Sequence, residues 1–242
     1  VVRWGALGLG VRGVDPGQVQ MLIDQLGDEP SQVLGRQPVI QRRRQQTHLI
    51  RGERAKRLTH PTRRRPHRGG HHLVGINLEQ AAITITEYAS MSCPHCAAWG
   101  ENVFPMLRAR YIDTGKVRFV FREFPLDIKA AGASMLARCI AKGDAEKYFA
   151  VITTMYQQLD PLLARTRDTL VLIGRLNGLN EQDVAACQTD QSLLEKLKAD
   201  QQHAFNMLKV DSTPTFFVNG QRLKGAMSFE ELEAIIKPML KR

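Results

Sequence analysis

Residues 91–96 read "MSCPHC". Two cysteines held two residues apart, with Pro94 and His95 between them, fit half of a zinc site, a structural disulfide, or a redox centre that trades disulfides with other proteins. A structural zinc needs four ligands, commonly from a second C-x-x-C pair or a pair of histidines. The remaining cysteines, Cys139 and Cys187, lie far apart in separate helical patterns. His95, inside the first pair, is badly placed to complete a tetrahedron with both of its neighbours. No metal is therefore expected, and the redox reading stands ahead.

The flanks place the pair at the start of a helix. "AITITEY" at 82–88 alternates apolar and polar residues as a strand does and runs straight into Cys93. "CPHCAAWGENVFPMLRARYIDTG" then reads as a helix, with Pro94 in the first turn where its missing N–H costs nothing and Pro105 as an internal kink. A thiol at that position faces the free N–H groups of the first turn and the positive end of the helix dipole. The dipole contributes about 0.3 to 2 kcal/mol, or roughly one pKa unit, so further thiolate stabilisation must come from the N–H groups of His95 and Cys96 and from the His95 imidazole.

Downstream, "KVRFVFREF" at 116–124 is a second strand, and Asp127 caps a helix that ends at Gly143. Helical patterns continue to about residue 208. "TPTFFVNG" then gives a strand at 215–219 and an Asn219-Gly220 hairpin turn. A short strand at 221–224 and a last helix follow, the helix capped by Ser228 with Glu231 completing a capping box. The expected fold is α/β: strand, helix, strand, a helical block at about 128–208, strand, hairpin strand, helix.

That order is the order of a thioredoxin fold with a helical insertion. "EYASMSCPHC", "VRFVFREFPLD" and "TPTFFVNGQRLKG" resemble the DsbA family of bacterial thiol-disulfide oxidoreductases, in its alphaproteobacterial form, over about residues 79–242. The resemblance implies a protein disulfide oxidase that gives its Cys93–Cys96 disulfide to reduced or unfolded exported proteins. It needs no cofactor beyond that disulfide. It also implies a periplasmic location and a membrane quinone-linked reoxidase as partner.

Several residues take on roles by this resemblance. Thr213-Pro214 resembles the cis-proline loop that faces the redox cysteines. Threonine at 213 is also familiar among disulfide isomerases and reductases, which keeps that alternative open. Glu87 shares strand parity with Ile83 and Ile85, so an acid continues an apolar face. Burial would raise its pKa and suit it to relaying the proton of Cys96, and thioredoxin relatives carry a buried acid at this position. By composition alone Cys139 and Cys187 are free core thiols, a resolving pair or a structural disulfide; the resemblance favours the disulfide. Met91 is a candidate for an apolar substrate groove beside the active helix.

The chain of 242 residues is uneven in charge. Residues 1–72 hold 14 Lys+Arg against 5 Asp+Glu, while the remaining residues are almost neutral, so the high isoelectric point belongs to the first segment. From residue 41 onward this segment lacks the apolar mass to offset ordering entropy, and it is expected to be largely disordered apart from a short helix at about 17–26. A solvated extension, or sequence ahead of the true start, is the preferred reading. An Arg-rich nucleic-acid binder with a degenerate thioredoxin domain is the alternative from another class; the base-stacking aromatics such an arm uses are missing after Trp4. Nucleic acid is accordingly not expected as a partner. No apolar run approaches the roughly 18 residues of a membrane span, and Arg3 and Arg12 interrupt the opening stretch, so no signal peptide is recognisable.

Overall fold

A computed structural model describes residues 74–76 and 81–241. The basic segment 1–72, its expected disorder and its short helix at about 17–26 lie outside the described residues. Strands β1 (Val74–Ile76), β2 (Ile83–Ala89), β3 (Val117–Glu123), β4 (Thr215–Val218) and β5 (Gln221–Lys224) form one mixed sheet in the order β1-β3-β2-β4-β5. The central pair β2 and β3 is parallel, and the other pairings are antiparallel. The alternation in β2 turns Ile83, Ile85 and Glu87 to one buried face. The short strand β1 was not anticipated, because three residues are too few to show an alternation.

The helix after β2 is shorter than expected. Helix α1 (Pro94–Asn102) stops where Val103 precedes α2 (Phe104–Leu107), and a π-helical turn (Arg108–Ile112) follows. Pro105 lies in the first turn of α2, where its missing N–H is harmless, so the chain restarts a helix instead of bending one long helix. Six helices then separate β3 from β4: α3 (Ile128–Ala141), α4 (Ala145–Gln157), α5 (Leu159–Ala164), α6 (Thr166–Leu176), α7 (Glu181–Gln188) and α8 (Gln191–Leu208). Asp127 caps α3 through the Ala130 N–H. The helix ends at Ala141, two residues before the expected glycine, because Lys142 already adopts a left-handed conformation. The Asn219-Gly220 turn has positive φ at both residues, as a tight hairpin requires. Ser228 and Glu231 form the capping box of α9 (Phe229–Met239).

The core fastens α1 to the sheet. Trp99 packs 4.7 Å from Phe216 and stacks on Phe119, while Phe104 stacks on Phe149 of α4. Burial of each such side chain contributes about 1.5 to 3 kcal/mol. One charged cluster sits within this apolar setting. Glu123 at the end of β3 accepts two hydrogen bonds of 2.6 Å from Arg138 of α3 and one of 2.7 Å from the Tyr148 hydroxyl of α4. These bonds tie the insertion to the sheet directly beneath the loop that follows β3.

Candidate redox site

Strand β2 ends at Ala89, and a short turn carries the chain to Cys93, whose N–H donates to the Ser90 carbonyl at 3.1 Å. Cys93 occupies the N-cap of α1 in an extended conformation, with Pro94 at the first helical position. Both cysteines of the motif are free thiols. They differ in setting: Cys93 is 5% exposed, while Cys96 is completely buried.

That difference separates their acidities. The Cys93 thiol is lowered to about 5, first by a hydrogen bond from Cys96, then by the Thr213 hydroxyl and by the backbone N–H groups of Cys96 and His95, against the opposing effect of burial. The Cys96 thiol is pushed up strongly by burial, by its bond to Cys93 and by the charge of Glu87. One sulfur is thus a stable thiolate near neutral pH, and the other holds its proton.

The partners come from distant parts of the chain. The Thr213-Pro214 peptide bond is cis, and Cys93 Sγ lies 3.4 Å from the Thr213 carbonyl, to which it donates when protonated. The Thr213 hydroxyl is buried and engaged by no other group among the described residues, so its hydrogen is available to the Cys93 sulfur. Glu87 is buried on β2, and its carboxyl is raised well above the usual range, chiefly by burial and then by the charge of Cys93. Glu87 and Cys96 open together into a cavity of about 130 Å³ that is also lined by Trp99, Phe104, Thr153 and Tyr156. A cavity of this size has room for water beside the buried carboxyl.

Two expectations need correction. Met91 does not line a surface groove: it is 1% exposed and packs in the main core. The large apolar side chains that are exposed include Leu126 and Ile128, at the start of the insertion. His95 is exposed, and its side chain makes no hydrogen bond among the described residues. Its backbone N–H is the group that lowers Cys93.

Cys139 of α3 and Cys187 of α7 are joined in a disulfide with Cα atoms 5.8 Å apart, so neither is available as a metal ligand. Ser90 and Tyr156 carry no sequence pattern that marks them for the site. Ser90 is buried, its hydroxyl accepts from the Leu126 N–H at 3.2 Å, and its carbonyl accepts from the Tyr156 hydroxyl at 3.3 Å. Contacts 36 and 66 positions away carry no local signal.

A family profile described as thioredoxin matches residues 69–238. The chain belongs to the thioredoxin family. Within that family its likeness is to the DsbA proteins. The crystal structure of alpha-DsbA1 from Wolbachia pipientis is 29% identical and superimposes with a TM-score of 0.65, covering 70% of this chain and 91% of that one. A Rickettsia bellii protein for which protein-disulfide oxidoreductase activity is proposed is 35% identical over 144 residues, 59% of this chain and 55% of its own length. A Bacillus cereus protein proposed to be disulfide bond formation protein D is 29% identical over 173 residues, 69% of this chain and 78% of that protein. The chain spans about half the length of the Rickettsia relatives it matches. Among the described residues, no helix is long and apolar enough to cross a membrane.

Proposed function

We propose that this thioredoxin-family chain is a thiol-disulfide oxidoreductase that donates a Cys93–Cys96 disulfide to reduced proteins during their oxidative folding. The observation that carries the reading is the unequal setting of the pair: Cys93 caps helix α1 beside Thr213, which favours its thiolate, while Cys96 is completely buried, which opposes its ionisation. Stabilising the Cys93 thiolate favours the reduced form, so the disulfide is easily given away, the behaviour for which DsbA is the type case.

The exchange runs in two steps. A substrate thiolate attacks Cys93 Sγ of the disulfide, a substrate–Cys93 bond forms, and the Cys93–Cys96 bond breaks with its electron pair on Cys96 Sγ. Cys96 takes a proton, which Glu87 is placed to pass on. A second substrate thiolate then attacks the substrate sulfur of the mixed disulfide and expels Cys93 as thiolate. The substrate loses two electrons, and the enzyme gains them. Thr213 and Pro214 border Cys93 and form the ledge against which an extended substrate would lie.

Such an oxidase works where disulfides persist, and the periplasm is the compartment proposed for it. Its dithiol must be reoxidised, and a membrane quinone-linked oxidase is the partner proposed for that step. The test is oxidative refolding of a reduced, denatured substrate. Cys93→Ser should be inactive, and Cys96→Ser, in a buffer of oxidised glutathione whose disulfide Cys93 attacks with release of one glutathione thiolate, should accumulate a mixed disulfide at Cys93. Refolding activity retained by Cys93→Ser overturns the reading. The equilibrium constant with glutathione, together with activity on a scrambled substrate, separates an oxidase from an isomerase or reductase.

A further inference from the structure

We infer that Ser90 is a positioning residue for the redox pair, holding the Cys93–Cys96 turn in register with the loop after β3 and with helix α4. The inference rests on the proposed exchange chemistry at Cys93. Ser90 is 1% exposed and stands between the end of β2 and the redox turn. Its hydroxyl accepts the Leu126 N–H at 3.2 Å and the Ser92 N–H at 3.3 Å, and it shares a 3.1 Å hydrogen bond with the Ser92 hydroxyl. Its carbonyl accepts the Cys93 N–H at 3.1 Å and the Tyr156 hydroxyl at 3.3 Å.

One small residue thus joins four segments: the end of β2, the turn into α1, the β3–α3 loop and α4. The same residue touches both sulfurs' settings. Its carbonyl fixes where Cys93 begins the helix, and its own backbone N–H favours the Cys96 thiolate against the burial that opposes it. The Cys93 thiolate depends on donors that converge from Cys96, His95 and Thr213, and convergence is sensitive to small displacements of the turn.

Removing the hydroxyl leaves two part-buried N–H groups, those of Leu126 and Ser92, without their acceptor. The turn then relaxes to satisfy them, and the donors around Cys93 lose alignment. The reduced form loses thiolate stabilisation, so the protein becomes a weaker oxidant. Leu126 is 42% exposed, so the same hydroxyl also sets the position of an apolar side chain at the surface next to the redox turn.

The experiment compares Ser90→Ala with Ser134→Ala, which removes an equally buried hydroxyl from the middle of α3. Thiolate absorbance at 240 nm against pH gives the Cys93 midpoint, a glutathione redox buffer gives the equilibrium constant, and thermal unfolding gives stability. Ser90→Ala is expected to raise the midpoint and to shift the glutathione equilibrium about fivefold toward the disulfide, the scale of one hydrogen bond's net contribution. Ser134→Ala should lower stability and leave both redox readouts in place. Tyr156→Phe removes only the hydroxyl that donates to the Ser90 carbonyl, and it should move both readouts in the same direction by about threefold. If Ser90→Ala does not fold, Tyr156→Phe decides.

Redox readouts within twofold of the parent for the deciding variant overturn the proposal, as do equal shifts in Ser134→Ala. Neither result bears on the exchange activity itself. That activity falls only if the parent protein fails to exchange.

Discussion

Reducing the Cys93–Cys96 disulfide should make the stability of the protein depend on pH in a way that the oxidised form does not share. The Cys93 thiol is lowered to about 5 in the fold, against about 8.5 for a free cysteine. An acid lowered in this way stabilises the folded reduced form fully only above its unfolded value. The contribution shrinks as the pH falls and is gone below about 5. At pH 7 the folded thiol is ionised and the unfolded one is not, which sets an upper limit of about 2.7 kcal/mol from roughly two pH units at about 1.4 kcal/mol each. Solvent at the open end of the helix screens part of this, leaving about 1 to 2 kcal/mol. Cys96 is pushed upward and ionises only beyond this window. The assay is urea unfolding at pH 4 and pH 7 of protein held oxidised and of protein reduced with one equivalent of dithiol, with alkylation and mass measurement to confirm that only the active pair has opened. All other titrating groups outside the site cancel in the difference between the two forms. A reduced-minus-oxidised difference that stays constant within about 0.5 kcal/mol between the two pH values would refute the reasoning.

Three other perturbations address separate parts of the structure. Thr213→Val removes the hydroxyl that helps lower Cys93, so the midpoint of the 240 nm thiolate titration should rise by about 0.5 to 1 unit while the fold is kept; an unchanged midpoint would show that the hydroxyl does not act on the sulfur. Glu87→Gln keeps the shape of a buried carboxyl whose ionisation the fold opposes, so the variant should gain stability relative to the parent as the pH rises above about 4.3, while thiol exchange slows; urea unfolding across pH and stopped-flow exchange check the two halves independently. Replacing Cys139 and Cys187 by alanine opens a cross-link across 48 positions and should cost about 4 kcal/mol in the chain-entropy account, read as a lower urea midpoint; two titratable thiols outside the active pair in denatured, unreduced protein would show that the bridge is not formed.

The sequence by itself determined the order of elements, because the signals involved are local. Alternation in 82–88 and 116–124, the Asp127 and Ser228 caps, and the Asn219-Gly220 turn each act within a few residues, and each of these devices is found in the structure. The same locality placed Cys93 at a helix start and Glu87 on the apolar face of its strand. It failed where structure depends on partners or on very short runs, as with the three-residue strand β1 and the restart of the helix at Phe104.

Only the tertiary structure decided which groups act on the sulfurs. It buried Met91, left the His95 imidazole at the surface, and brought the cis Thr213-Pro214 bond and the Thr213 hydroxyl to Cys93 from 120 positions away. It also made Ser90, an unremarked residue between a strand and a redox motif, the acceptor for groups from three other segments. The physical reason is that a pKa is set by desolvation and by the alignment of a few donors. Both are properties of the folded surroundings, and no local pattern in the chain encodes them.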